Sequence, residues 1–107
     1  MKLIIYIFAS HLFFTNGLLA KPDDELVKIE NAAPRKSSVQ PKKNRKVLVY
    51  SKPSGFKHNS IPTGVKGLRI LAEKTNAFTP TFTLDTSEFT VEGLEKYDAI
   101  IFNNTTH

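Results

Sequence analysis

Apolar positions divide the chain into three unlike stretches. From Leu3 to Phe14 the sequence is almost continuously apolar, with Lys2 ahead of it and small or turn-forming residues leading to Ala20. Lys21 to Asn44 scatters Leu26, Val27 and Ile29 among charges and three prolines, with no sustained period of 2 or 3.6. Arg45 to His107 is different: compact apolar runs alternate with a helical stripe, so ordered structure is expected there.

Within that last stretch, Lys46-Val47-Leu48-Val49-Tyr50 is rich in β-branched residues and lacks the alternation of a strand with one wet face. It predicts a strand covered on both sides, as in a parallel sheet. After a loop marked by Pro53 and Gly55, Ile61, Val65, Leu68, Leu71 and Ala72 form one stripe of a helix over 61–74. Ser60 is the expected N-cap, Pro62 fits the first turn, and Asn76 suits a left-handed C-terminus. Gly64 and Gly67 lower helix propensity but allow close packing.

Phe78 to Leu84 alternates, placing Phe78, Pro80, Phe82 and Leu84 on one face. Pro80 cannot donate to a ladder, which assigns this strand to a sheet edge. Asp85-Thr86-Ser87 predicts a turn, Thr90 caps a short helix over 91–96, and Tyr97 to Phe102 predicts another buried strand. Strand, helix, strand, short helix, strand is the order of a right-handed α/β arrangement. With the Pro80 strand at the edge, the spatial order is 2-1-3, the start of a flavodoxin-like doubly wound sheet.

Composition then narrows the setting. The chain has 107 residues, enough for one domain, and no cysteine, which excludes disulfides, Cys-ligated zinc, a thiol nucleophile and lipid attachment at an N-terminal cysteine. Residues 1–20 have the build of a secretory signal peptide cleaved near Ala20, predicting a periplasmic or extracellular protein. Ser10, His11, Thr15 and Asn16 interrupt the apolar run, so stable membrane insertion after cleavage is not expected. Residues 21–44 are expected to be a disordered, basic, Pro-containing linker. The net charge of +5 is spread along the chain, and no aromatics interleave the basic cluster from Arg35 to Lys46, so nucleic acid is not an expected partner.

The 2-1-3 order makes strands one and three neighbours at a switch point, where open α/β sheets bind ligands beyond the strands' carboxyl ends. Two polar segments are predicted there: 51–60 after strand one, and Asn103-Asn104-Thr105-Thr106-His107 after strand three. Residues 55–61 (Gly-Phe-Lys-His-Asn-Ser-Ile), 85–89 (Asp-Thr-Ser-Glu-Phe) and 97–106, in this order and spacing, resemble the opening of the ThuA-like (trehalose-utilisation) family. The resemblance covers Arg45 to His107. It implies a class I glutamine amidotransferase-like fold and an exported protein linked to carbohydrate metabolism. It does not imply amidotransferase chemistry, because the cysteine elbow of true amidotransferases is not generally kept in ThuA-like proteins. Such a domain is roughly two hundred residues long. The chain resembles its first third, and a truncated reading frame, marginally stable by itself, is expected.

His58 is the first candidate for ligand contact or catalysis, since a loop imidazole before a helix can face a ligand, carry a proton or bind a metal. The resemblance supports it, because the family's Phe-basic-His triplet matches Phe56-Lys57-His58. The other reading, that His58 merely caps the helix or bonds a carbonyl, stays open, and no partner acid or base is visible. Lys57, Thr105, Thr106 and His107 complete the candidate ligand set: hydroxyls and imidazole suit sugar hydroxyls, and a lysine suits an anionic group. Asn103 and Asn104 are read as a self-satisfied turn, Phe56 as an anchor packed on the sheet, and Asp98 as a partner for a backbone or basic group. Two histidines with no carboxylate beside them do not define a metal site. The sequence specifies no cofactor and leaves open an exported enzyme of sugar metabolism, a noncatalytic carbohydrate-binding or accessory domain, and an inactive fragment.

Overall fold

The computed structural model describes residues 23–106. The signal-peptide expectation for 1–20 and the ligand role expected of His107 both lie outside the described residues. The elements are α1 (Asp24–Ala32), β1 (Lys46–Tyr50), α2 (Ser60–Thr75), β2 (Thr79–Thr83), a 3₁₀ turn (Thr86–Glu88), α3 (Val91–Leu94) and β3 (Ala99–Phe102). The three strands form one all-parallel sheet in the order β2-β1-β3, as the position of Pro80 and the apolar run of β1 require. It is a small α/β fold of flavodoxin-like type.

Register assigns the faces. Val47 pairs with Pro80 and Ala99, and Val49 with Phe82 and Ile101, so these side chains share one face, while Leu48, Tyr50, Ile100 and Phe102 share the other. Helix α2 lies on the first face, where the Arg69 guanidinium sits 4.7 Å from the Phe82 ring centroid. The segment around the 3₁₀ turn covers the second: Phe89 meets Tyr50 edge-on at 4.9 Å and Phe102 at 5.8 Å. Covering both faces of β1 explains why Val47, Leu48 and Val49 are the most buried run in the described chain. Each such side chain contributes roughly 1.5–3 kcal/mol of burial free energy. On α2, Ile61, Ile70 and Ala72 complete this core.

Local chemistry ends the elements where expected in most places. Asn76 adopts φ 51°, and its N–H bonds the Ala72 carbonyl, closing α2. Thr90 caps α3 by accepting from the Gly93 N–H at 3.0 Å, and Asp85 accepts from the Ser87 N–H at 2.9 Å to start the 3₁₀ turn. The N-cap of α2 differs from expectation. It is Asn59, without a side-chain bond, because the Ser60 hydroxyl is the first helical residue's and accepts from the Asn104 amide instead.

Three further differences have physical causes. Asp24–Ala32, within the stretch expected to be a linker, is a nine-residue helix. Asp23 caps it, and Lys66 of α2 pairs with Asp23 and Glu25 at 2.8 and 2.9 Å, while Lys74 donates to the carbonyls of Glu30 and Ala33 at its far end. These contacts are with a helix more than thirty residues away and are invisible to local periodicity. Strand β3 begins at Ala99, and its residues are half-buried or exposed rather than fully buried, because it is a sheet edge. Leu84, expected to face the core with Phe82, lies past the end of β2 and is 63% exposed.

Candidate functional site

Parallel pairing brings the carboxyl ends of β1 and β3 together, and the ladder continues one step beyond each end. The Asn103 N–H bonds the Tyr50 carbonyl at 2.8 Å, and the Ser51 N–H bonds the Thr83 carbonyl at 3.1 Å. The segments that follow, 51–59 and 103–106, then meet: the Gly55 N–H donates to the Thr106 carbonyl at 3.4 Å.

Two asparagines set this junction. The Asn103 amide nitrogen donates to the Ser51 hydroxyl at 3.2 Å and to the Ile61 carbonyl at 3.1 Å, joining the ends of β1 and β3 to the first turn of α2. Ser51 is buried, so this bond satisfies a polar atom that water does not reach readily. Asn104, at φ 52°, sends its amide to the Ser60 hydroxyl at 2.9 Å. The two asparagines expected to form a turn satisfied by their own backbone are therefore cross-braces between elements. Gly64 makes room for the first of them: a Cβ there would overlap Asn103 Oδ1 and lie 3.1 Å from its Cγ.

Of the expected ligand set, Lys57, His58, Thr105 and Thr106 fall on the two segments so joined, with Lys57 and Thr106 exposed and His58 and Thr105 half-buried. The His58 carbonyl accepts the Ile61 N–H at 3.2 Å, whereas its imidazole makes no hydrogen bond among the described residues. The ring instead meets Phe56 edge-to-face at 4.9 Å. Phe56 is 69% exposed, so it does not anchor the loop on the sheet as expected; its partner is His58. An aromatic face and an imidazole whose nitrogens have no partner among the described residues thus stand together at the rim. Such a pair can supply stacking and hydrogen bonding to one polyol ligand.

Asp98 takes no part in this rim. It lies at the amino end of β3, where it accepts from Lys43 Nζ at 2.8 Å, the Lys46 N–H at 2.9 Å and Arg45 at 3.2 Å. The Lys43 hydrogen bond is foremost in holding its pKa down to about 2. That is the structural role expected of it. Asp85, past β2, is also held below the ordinary carboxylate value, first by the Ser87 N–H and hydroxyl and further by the charge of Lys52.

From sequence, Ser51 is only the start of a polar segment, Asn103 only part of a turn and Gly64 only an allowance for close packing, so the brace they form together is not foreseen. A glycine in the first turns of a helix that follows the first strand, paired with an asparagine directly after the third, is the signal that would have pointed to them.

An open parallel sheet with its winding reversed between β1 and β3, and polar segments joined above that reversal, defines a flavodoxin-like α/β protein with its candidate site at the switch point. Residues 46–107 match the family model ThuA, described as trehalose utilisation. The match spans more than half of the chain, and the chain belongs to that family. No curated protein and no solved structure matches it.

Proposed function

We propose that this ThuA-family chain is an exported protein that binds a sugar or sugar derivative at the joined segments after β1 and β3, with His58 and Thr106 facing the ligand. The observation that carries this reading is the Gly55–Thr106 backbone bond, which holds two polar segments together above the switch point. The exposed Phe56 face, beside an imidazole that makes no hydrogen bond among the described residues, adds the stacking and donor–acceptor chemistry that polyols require. Export rests on the make-up of residues 1–20, and an exported chain starting near Lys21 in an intact-mass measurement is its test. Among the described residues no helix is long and apolar enough to cross a membrane.

One observation favours binding without catalysis: among the described residues His58 has no carboxylate or hydroxyl partner to set its proton. The two readings share the same site. Titration calorimetry with trehalose and with glucose tests it. His58→Ala should weaken saccharide binding about tenfold, the worth of a well-placed polar contact, with an unchanged melting temperature. Equal affinities in the variant and the parent chain, or no saccharide binding by the parent, would reject the assignment.

A further inference from the structure

A groove of about 810 Å³ lies on the α2 side of the sheet, within the size range of small-molecule sites. Leu26 of α1, Val65 of α2 and Leu84 beyond β2 supply apolar walls, and Leu26 and Leu84 are 37% and 63% exposed. Lys52, Lys57, Lys66 and Arg69 also line it, and among the described residues no carboxylate does. Lys66 is neutralised by Asp23 and Glu25. Lys52 and Arg69 form no ion pair among the described residues; Arg69 has only the Phe82 ring, and Lys52 acts on Asp85 at longer range.

This combination selects a ligand chemistry. A polyol would strip water from its hydroxyls against aliphatic walls that offer no replacement partners, and each unmatched group would weaken its binding. A small inorganic anion would satisfy the cations and leave the walls wet. An anion carrying an apolar body satisfies both, through charge-assisted bonds at one end and burial at the other.

We propose that this groove binds a monomeric amphiphilic carboxylate, its alkyl or aryl body along Val65 and Leu84 and its head group at Lys52 and Arg69. The groove adjoins the saccharide site without coinciding with it: neither His58 nor Thr106 lines it, whereas Gly55 belongs to both. Lys57 lines both regions and is left unaltered in the test.

The experiment is calorimetric titration of the whole chain with decanoate below its micelle concentration, with decanol and acetate as single-feature controls. Decanoate should bind, decanol and acetate should each bind about tenfold more weakly or worse, and added salt should weaken decanoate but not decanol. Lys52→Gln with Arg69→Gln should cost decanoate about tenfold and leave decanol unchanged. Amide shifts in an NMR titration should centre on Val65 and Leu84. The proposal is overturned by no decanoate binding, by equal affinity for decanol, by an unaffected charge variant, or by shifts centred elsewhere. Trehalose titration of the same double variant separates the two sites, because failure here leaves the saccharide response intact and failure there leaves this one.

Discussion

Gly64 and Gly67 sit one turn apart on the same helix and face opposite demands. Alanine at either position raises helix propensity by about 1 kcal/mol. At Gly67 the nearest atom to an added methyl is Ile29 Cγ2 at 3.9 Å, an ordinary contact, so Gly67→Ala should gain up to about that amount. At Gly64 the methyl collides with an Asn103 amide that two hydrogen bonds already hold. Overpacking of this kind costs about 1–3 kcal/mol, so Gly64→Ala should destabilise despite its better propensity. Urea denaturation of the two variants reads the sign directly, and two stabilised variants would mean that the asparagine brace yields freely. The same pair shows what a single sequence conveys at this scale. The chain itself makes a helical glycine visible as a weak spot, but the partner that makes Gly64 necessary comes from 39 positions further along. Phe56 illustrates the reverse: hydrophobicity suggests burial, yet a loop residue on the nine-residue connection 51–59 has no obligation to reach the sheet, and it pairs with His58 at the rim.

Elements were far more legible than residues, because their determinants are local or repeat along the chain. An uninterrupted apolar run yielded β1, Pro80 yielded the edge position of β2, and the cap chemistry of Asn76 and Thr90 located two helix ends. Helix α1 was not legible, because its apolar positions bury nothing fully and its order depends on Lys66 and Lys74 of α2, which run alongside it in the same direction. The amino ends of β1 and β3 are tied by Asp98, and this makes a pH prediction. Its carboxyl titrates at about 2 in the folded chain against 3.8 as the ordinary value, so the ionised form favours folding. The contribution is whole above about pH 4 and is lost as pH falls toward 2. Asp98→Asn should therefore lower stability at neutral pH and flatten the acid limb of the stability curve. It should not abolish that limb, since Asp23, Glu25 and Asp85 are also held below their ordinary values. Stability measured from pH 2 to pH 7 for both chains checks it; parallel curves would show that Asp98 titrates alike in the folded and unfolded states.

At the scale of the molecule, the sheet has two edges of unequal character. Pro80 removes a donor from β2, so that edge makes a poor template for a further strand. The outer edge of β3 has no proline and no charged residue: Ala99-Ile100-Ile101-Phe102 presents unpaired backbone groups among the described residues, and Phe102 is 58% exposed beside them. An open strand edge next to an exposed aromatic is a pairing surface for another chain, and the net charge of +5 opposes association only over the short range that salt leaves unscreened. The chain should accordingly self-associate with rising concentration, faster at high salt, with a gain in β signal rather than a loss of helix. Ala99→Lys is the discriminating variant. Ala99 is exposed, so the substitution preserves the fold while placing a charge on the edge, and it should slow light-scattering growth severalfold at an unchanged melting temperature. If Ala99→Lys associates as fast as the parent while Phe56→Ser does not, the contact lies at the saccharide rim, and the β3 edge is protected by something other than charge.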